Sequence, residues 1–322
     1  MKFFKITLIF PALLLATMVA NAQENTTKNT TKSNTSSADS LMNAMDKDQK
    51  PEDVIGGFKA TRLINSQTTQ TVKQSNLNFL IIHRFGDFAG SHGGGQFAYG
   101  LDDINDVYIG FEYGITDNLQ VDLGRSTIGG LIQGEVKYAF LHQTTDNSIP
   151  VSTTVLGEYG IRPYGNGQFP TFGDRESFLG QLVISRSFSF LSLLVSPTIV
   201  TNNQPMPDVP GNGNSFFALQ AATRIKLTKH TGFIIDYAHS FSSYRNSAGS
   251  GMYDPLGFGW EVETGGHVFT LNVTNTRAIS EINYLSNSDA TYGKGQYRIG
   301  FTISRMFDLS KHKTNDKKWD DK

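Results

Sequence analysis

The sequence predicts an all-β protein, namely a transmembrane antiparallel up-and-down β-barrel of about twelve strands. Segments in which apolar and polar residues alternate recur along most of the chain, and the links between them alternate between short and long. No stretch after the N-terminal region has the roughly eighteen uninterrupted apolar residues of a membrane helix. The composition, with 32 Gly, 11% aromatic and 18% charged residues, fits a barrel and fits a large secreted β-sandwich almost as well.

The hairpin predicted over residues 106–125 has the clearest alternation. Apolar side chains occupy every second position from Val107 to Tyr113, and Leu119, Val121 and Leu123 repeat the pattern after a polar turn. A period of two gives each strand one apolar and one polar face. The apolar face would meet a core in a soluble sandwich and lipid in a membrane barrel, so the hairpin alone leaves both folds open.

The links between the predicted strands favour the barrel. Short links follow strands two, four, six, eight and ten, whereas long links rich in Gly, Asn, Ser and Pro follow strands one, five, seven, nine and eleven. Residues 126–131 form a short exception after strand three. Outer-membrane barrels have short periplasmic turns and longer external loops. The pattern therefore predicts the outer membrane of a Gram-negative bacterium, with both termini in the periplasm. The strands are predicted at residues 72–85, 107–113, 119–125, 132–140, 149–159, 178–188, 190–200, 216–227, 232–239, 256–263, 267–274 and 296–307.

The ends of the chain have different compositions from its middle. Residues 1–22 have the positive start, apolar run and small-residue cleavage pattern of a secretory signal peptide. A polar tether, too poor in apolar residues to fold, is predicted over residues 23–57. The barrel domain is predicted over residues 58–307 and a polar tail over 308–322. Residues 51–71 fit a plug, a strand or a loop, and the sequence does not choose among them.

Composition excludes several classes of function. The chain has no cysteine, which removes disulfides, thiolate catalysis and zinc–thiolate sites. Its formal net charge of −1 shows no bulk attraction for nucleic acid. No residue pattern predicts a cofactor, a metal site or a catalytic centre. The predicted partners are outer-membrane lipid and, through the aromatic Phe307 at the end of the last strand, the barrel-assembly machinery.

Charged residues on the polar faces of the strands are the candidate site. A charge at the bilayer midplane costs about 2–4 kcal/mol, so these side chains should point into the lumen. There they either line a path for small solutes or pair with one another in a polar core. Glycines of the same parity, such as Gly110 and Gly259, would keep the inner face open or let a plug approach. The candidate lumen-lining residues are Glu112, Asp122, Glu135, Lys137, Asp236, Glu261, Glu263 and Arg298.

Histidines offer a second kind of chemistry. His83, His92 and His267 could bind a metal, or one could act as the base of a lipid hydrolase with a serine such as Ser126. No metal-ligand spacing is present, and structural hydrogen bonding is the simpler interpretation. Aromatic residues near predicted strand ends would form interfacial girdles in a barrel, or ordinary core contacts in a sandwich.

Four segments carry a resemblance to a known family. They are residues 78–88 (NFLIIHRFGDF), 100–126, 259–275 and 297–307 (YRIGFTISRMF). They resemble a Bacteroidota outer-membrane β-barrel family known only as a domain of unknown function. The resemblance implies an exported barrel-like fold over roughly residues 58–307 and implies no activity; a porin-like role belongs to the channel hypothesis below.

Three functional hypotheses follow. The leading one is a narrow channel for small solutes, whose selectivity the inward charges set. The alternative is a plugged structural or docking barrel without conductance. The third is a barrel-embedded enzyme that modifies lipid.

Overall fold

The computed structural model describes residues 52–54, 57–163, 169–203, 214–242, 244–247 and 249–310. The predicted signal peptide, most of the predicted tether and most of the polar tail lie outside the described residues.

Twelve antiparallel strands form one closed barrel, in which each strand pairs with its neighbours along the chain and β1 pairs with β12. The predicted fold class and strand count are confirmed. The strands are β1 Asn76–Phe85, β2 Ile104–Gly114, β3 Leu119–Ser126, β4 Ile132–Leu141, β5 Ser152–Ile161, β6 Glu176–Ser187, β7 Leu191–Asn202, β8 Ser215–Lys226, β9 Thr231–Phe241, β10 Leu256–Thr264, β11 His267–Thr274 and β12 Arg298–Asp308.

The outer face of the barrel is apolar, and many of the inward side chains are polar. Large apolar side chains such as Leu123, 60% exposed, and Phe111 cover the outside, while their neighbours Glu112 and Gln120 are buried inside. The aromatic residues predicted at strand ends also lie on the exposed outer face, as an interfacial girdle requires. They are Tyr113, Tyr138, Phe140, Tyr159, Tyr237, Trp260 and Phe307.

The two ends of the barrel differ in their connections. One end, which we call the turn end, carries the links after the even-numbered strands, such as residues 115–118 and 265–266. The opposite loop end carries the links after the odd-numbered strands, the longest being residues 275–297. The described helices are short, and none is long and apolar enough to cross a bilayer.

Two segments of the chain fill the interior. Residues 58–72, here called the plug, enter at the turn end; most of their side chains are buried. Residues 275–297, here called the lid, turn inward at the loop end and include helix α1, Glu281–Ser286, all of whose residues are buried.

Both segments correct the sequence-based boundaries. The prediction that the first strand starts at residue 72 is wrong, because the Val72 amide donates to Gln120 Oε1 at 2.7 Å, and the strand begins at Asn76. The composition and length of the lid predict an external loop, and the structure differs. It folds inward because its polar backbone finds partners on the inner wall.

Candidate functional site in the barrel lumen

The tip of the plug is anchored to Asp236, which lies halfway along β9. The Asn65 and Ser66 amides each donate to Asp236 Oδ2 at 2.9 Å, and the Ser66 hydroxyl donates to Oδ1 at 2.7 Å. The tip is a tight turn, in which the Leu63 amide donates to the Ser66 carbonyl at 2.8 Å. Hydrogen bonds to a charged acceptor contribute about 1.5–3 kcal/mol each, so this carboxylate is the main polar anchor of the tip.

The plug also contacts the wall formed by β2–β4. Glu112 Oε2 accepts from the Thr61 hydroxyl at 2.7 Å, and Glu135 Oε2 accepts from Gln67 Nε2 at 2.8 Å. Lys137 Nζ donates to the Thr61 carbonyl at 3.1 Å and to Gln67 Oε1 at 3.3 Å. Three of the eight candidate residues therefore bind the plug on this wall.

Glycines of the inner face make room for the plug. A Cβ at Gly257 would lie 2.9 Å from Ile64 Cγ2, and one at Gly259 would lie 3.0 Å from Ile64 Cδ1. Any larger side chain there would force Ile64 away from the wall. The close approach considered for Gly259 is therefore present, whereas Gly110 makes room for the side chain of Tyr108.

The lid is held by the strands around it. The Ile279 amide donates to Asp106 Oδ2 at 2.8 Å, and Gln220 Nε2 donates to Glu281 Oε1 at 3.1 Å. Near the loop-end rim, burial raises the pKa of Tyr292 to about 12, and its hydroxyl lies 3.1 Å from the Leu256 carbonyl oxygen.

Plug and lid meet inside the barrel. The hydroxyl oxygen of Tyr284, on α1, lies 3.1 Å from the Asn65 carbonyl oxygen and 2.7 Å from Gln220 Oε1. Arg84 of β1 joins the two segments. Its guanidinium donates to the Ile64 carbonyl and to Asn65 Oδ1, at 2.9 and 2.7 Å, and to the lid through Ala278.

The remaining candidates also lie on the inner face or its rim. Glu261 accepts from Arg224 Nε at 2.6 Å in a buried ion pair. Glu263 pairs with Lys59 at 2.8 Å, with a third of its side chain exposed. Arg298 pairs with Asp87. Whether any of the eight lines a path for solutes stays a prediction.

Four carboxylates form a row across the inner wall, which we call the carboxylate ladder. The register pairs Glu112 with Asp122, Asp122 with Glu135, and Glu135 with Glu158, on four successive strands. Directly paired side chains have Cβ atoms about 4.5–5.5 Å apart, and like charges in such pairs destabilise a sheet. Among the described residues, no basic nitrogen lies within ion-pair distance of these carboxylates.

Glu158 is the ladder residue that the sequence analysis missed. It is 3% exposed, and neither of its carboxylate oxygens has a hydrogen-bond donor among the described residues. Its position on the polar parity of β5 was the signal that could have found it. Arg62, Arg84 and Arg224 were missed as well. Arg62 lies in a segment without periodicity, so no strand pattern could have located it.

The histidines do not assemble into a site. His83 stacks on Phe301, and His267 stacks on Phe269. Both histidines lie on the outward-facing parity of their strands. The Ser126 hydroxyl, by contrast, is buried and donates to Asp106 at 2.9 Å. In the described part of the chain, no three His, Asp or Glu side chains are arranged to hold a metal ion.

The apolar exposed face and the closed sheet define a membrane β-barrel. The chain belongs to the family described as a membrane-bound β-barrel domain, DUF5777, whose model matches residues 58–307. The family has no assigned function. The protein is an outer-membrane β-barrel of unknown function.

Solved structures with similar folds are distant. A NanC porin has a TM-score of 0.45 at 8% identity, over 71% of this chain and 98% of the porin. Outer membrane phospholipase A from Escherichia coli has a TM-score of 0.39 at 10% identity, over 73% of this chain and 93% of that chain. No curated protein matches the chain. Similarity at this level carries no argument about function.

Proposed function

We propose that this protein is a barrel that is closed at rest, acting as a structural or docking element and not as an open channel. The contact between Asn65 of the plug and Tyr284 of the lid carries the proposal. The two segments enter from opposite ends and meet in the interior, and we infer that the described residues leave small solutes no continuous polar path. The eight charged residues that could have lined a channel are instead bonded to the plug, the lid, the wall or, for Arg298, also to Asp87 in the loop after β1.

Conductance in planar bilayers tests this proposal. We expect the purified, refolded protein to give no steady current, whereas a variant lacking residues 58–71 should conduct. A steady ohmic current from the full chain would show that the barrel is open and would end the proposal.

A second candidate function is a channel that opens when the plug leaves. The carboxylate ladder favours this function, because four adjacent like charges destabilise the sheet and would bring no benefit to a barrel that never opens. A conductance that appears only after the plug is released would separate this function from a permanently sealed barrel.

We propose the orientation and partners on the same basis. The turn end and both termini would face the periplasm, and lipid would surround the apolar outer face of the barrel. Protease added to intact cells should cleave sites introduced into the loop-end links and spare sites introduced into the turn-end links. We also propose that the protein is not an enzyme, since the Ser126 hydroxyl donates to Asp106 and not to a histidine. Hydrolysis of labelled phospholipid by the pure protein would contradict this.

A further inference from the structure

The carboxylate ladder runs along the depth of the barrel. Glu112 lies near the turn-end terminus of β2, whereas Glu158 lies near the loop-end terminus of β5. Paired residues follow the hydrogen-bond direction, which is inclined to the axis in a barrel with tilted strands. The ladder therefore extends from the turn-end half of the lumen, which the plug enters, toward the loop-end half, which the lid enters.

The plug supplies this wall with donors. Glu112 and Glu135 accept from Thr61 and Gln67, and on the facing wall Asp236 accepts from the tip. The basic residues on β1, β8 and β12, by contrast, have partners independent of the ladder. Arg84 bonds to plug and lid oxygens, Arg224 pairs with Glu261, and Arg298 pairs with Asp87. Removing the plug would thus take the Gln67 donor from Glu135 and the Thr61 donor from Glu112, which keeps a wall donor in Asn78. Asp122 would keep its wall donor, Gln120.

The plug can leave without unthreading. Its start is tied to the turn end by the Gly57 carbonyl, which accepts from the Ser192 hydroxyl at 2.9 Å. Its end is tied to the same end of the barrel, where the Gln74 amide donates to Asp117 at 3.0 Å. Both connections lie at one end, so the plug is a single loop that can be withdrawn as a unit.

We propose that the carboxylate ladder is the binding surface for cationic solutes carrying several N–H donors, which take the place of the plug when it withdraws. Glu158 is the strongest single indication, because this buried carboxylate has no donor of its own in the described structure while the plug is in place. Four fixed carboxylates in a narrow lumen concentrate cations and repel anions. The proposal rests on the closed barrel described above, and on the opening considered as its second candidate function.

The test uses two ways of releasing the plug in otherwise complete chains. One variant lacks residues 58–71, and the other carries Ser66→Ala and Asp236→Asn, which weaken the anchor of the tip without shortening the chain. Each is first checked for folding by its gel mobility before and after boiling. The reversal potential in a KCl gradient then gives the K⁺/Cl⁻ permeability ratio, and spermine serves as the polyvalent cation probe.

We expect both released variants to select K⁺ over Cl⁻ and to be blocked by spermine. Adding E112Q, D122N, E135Q and E158Q should shift the reversal potential toward zero and abolish the block. The matched control removes four carboxylates outside the lumen, with D102N, D103N, D174N and E176Q. In 1 M salt the field of an exposed charge is screened over about 3 Å. At that salt concentration this control should leave the reversal potential and the spermine block nearly unchanged.

Three results would overturn the proposal. They are a folded, released barrel that does not conduct, one that is not cation-selective, or one whose selectivity survives loss of the ladder. Each of these leaves the closed resting state intact, whereas a steady current from the unmodified chain would refute the closed state itself.

Discussion

At the scale of single residues, Asp236 is the side chain on which the position of the plug most depends. It is fully buried and its carboxylate accepts three hydrogen bonds from the plug tip. An amide in its place turns one acceptor into a donor that faces an N–H or O–H group, which leaves a buried donor unsatisfied.

We therefore expect Asp236→Asn to favour withdrawal of the plug by about 1–3 kcal/mol. The chain has no cysteine, so Ala60→Cys in the plug provides a unique label. Its reaction with a water-soluble maleimide should be about 5- to 150-fold faster in the Asp236→Asn background.

The matched control for this labelling is Glu263→Gln. Glu263 also pairs with a plug residue, Lys59, but the pair is partly exposed and contributes about 0–1 kcal/mol. The labelling rate should then change by less than about fivefold. Equal changes in labelling rate for the two substitutions would show that Asp236 is not the main anchor of the plug.

At the scale of elements, each strand is specified by its two faces. The outward side chain of Leu123, midway along β3, is 60% exposed, which is costly in water and favourable in lipid. Many inward side chains are polar and buried, which is tolerable because the plug and lid bring donors and acceptors to them. The apolar outer face and the occupied lumen are thus two parts of one arrangement.

Leu123→Arg should destabilise the barrel in lipid vesicles by about 2–4 kcal/mol, because it places a charge on the lipid face near the midplane. The free energy of unfolding measured with denaturant reports the loss. Ile104→Arg, at the end of β2, lies near the interface and should cost about 0–1 kcal/mol. Similar losses of unfolding free energy at both positions would contradict an outer face that spans the membrane.

At the scale of the whole molecule, closure between β1 and β12 leaves no unpaired sheet edge. Such barrels resist unfolding by detergent until they are heated, since all backbone groups are bonded within the sheet. The filled interior adds contacts that an empty barrel would lack.

The unboiled protein should therefore migrate faster in a gel than the boiled protein, and it should be recovered in the outer-membrane fraction of cells. The variant lacking residues 58–71 should keep this shift but lose it at a lower temperature. A soluble protein without any shift would mean that the apolar outer face does not contact lipid.

The sequence by itself determined the strands, their faces and the sorting of long and short links. These features depend on a local period of two and on turn composition, so the hairpin at residues 106–125 could be read from neighbouring residues alone. The inward parity of Glu112 and Lys137 follows from the same local rule. The same rule places Glu158 on the inward face of β5.

Only the tertiary structure decided what occupies the lumen. The plug has no periodicity because its partners, such as Asp236 for Ser66, lie on strands far away in the chain and not next to it. The row of four carboxylates likewise depends on the register between strands, which no single strand specifies. Patterns within a segment are set by its own residues, whereas pairing and filling are set by contacts that form only once the barrel has closed.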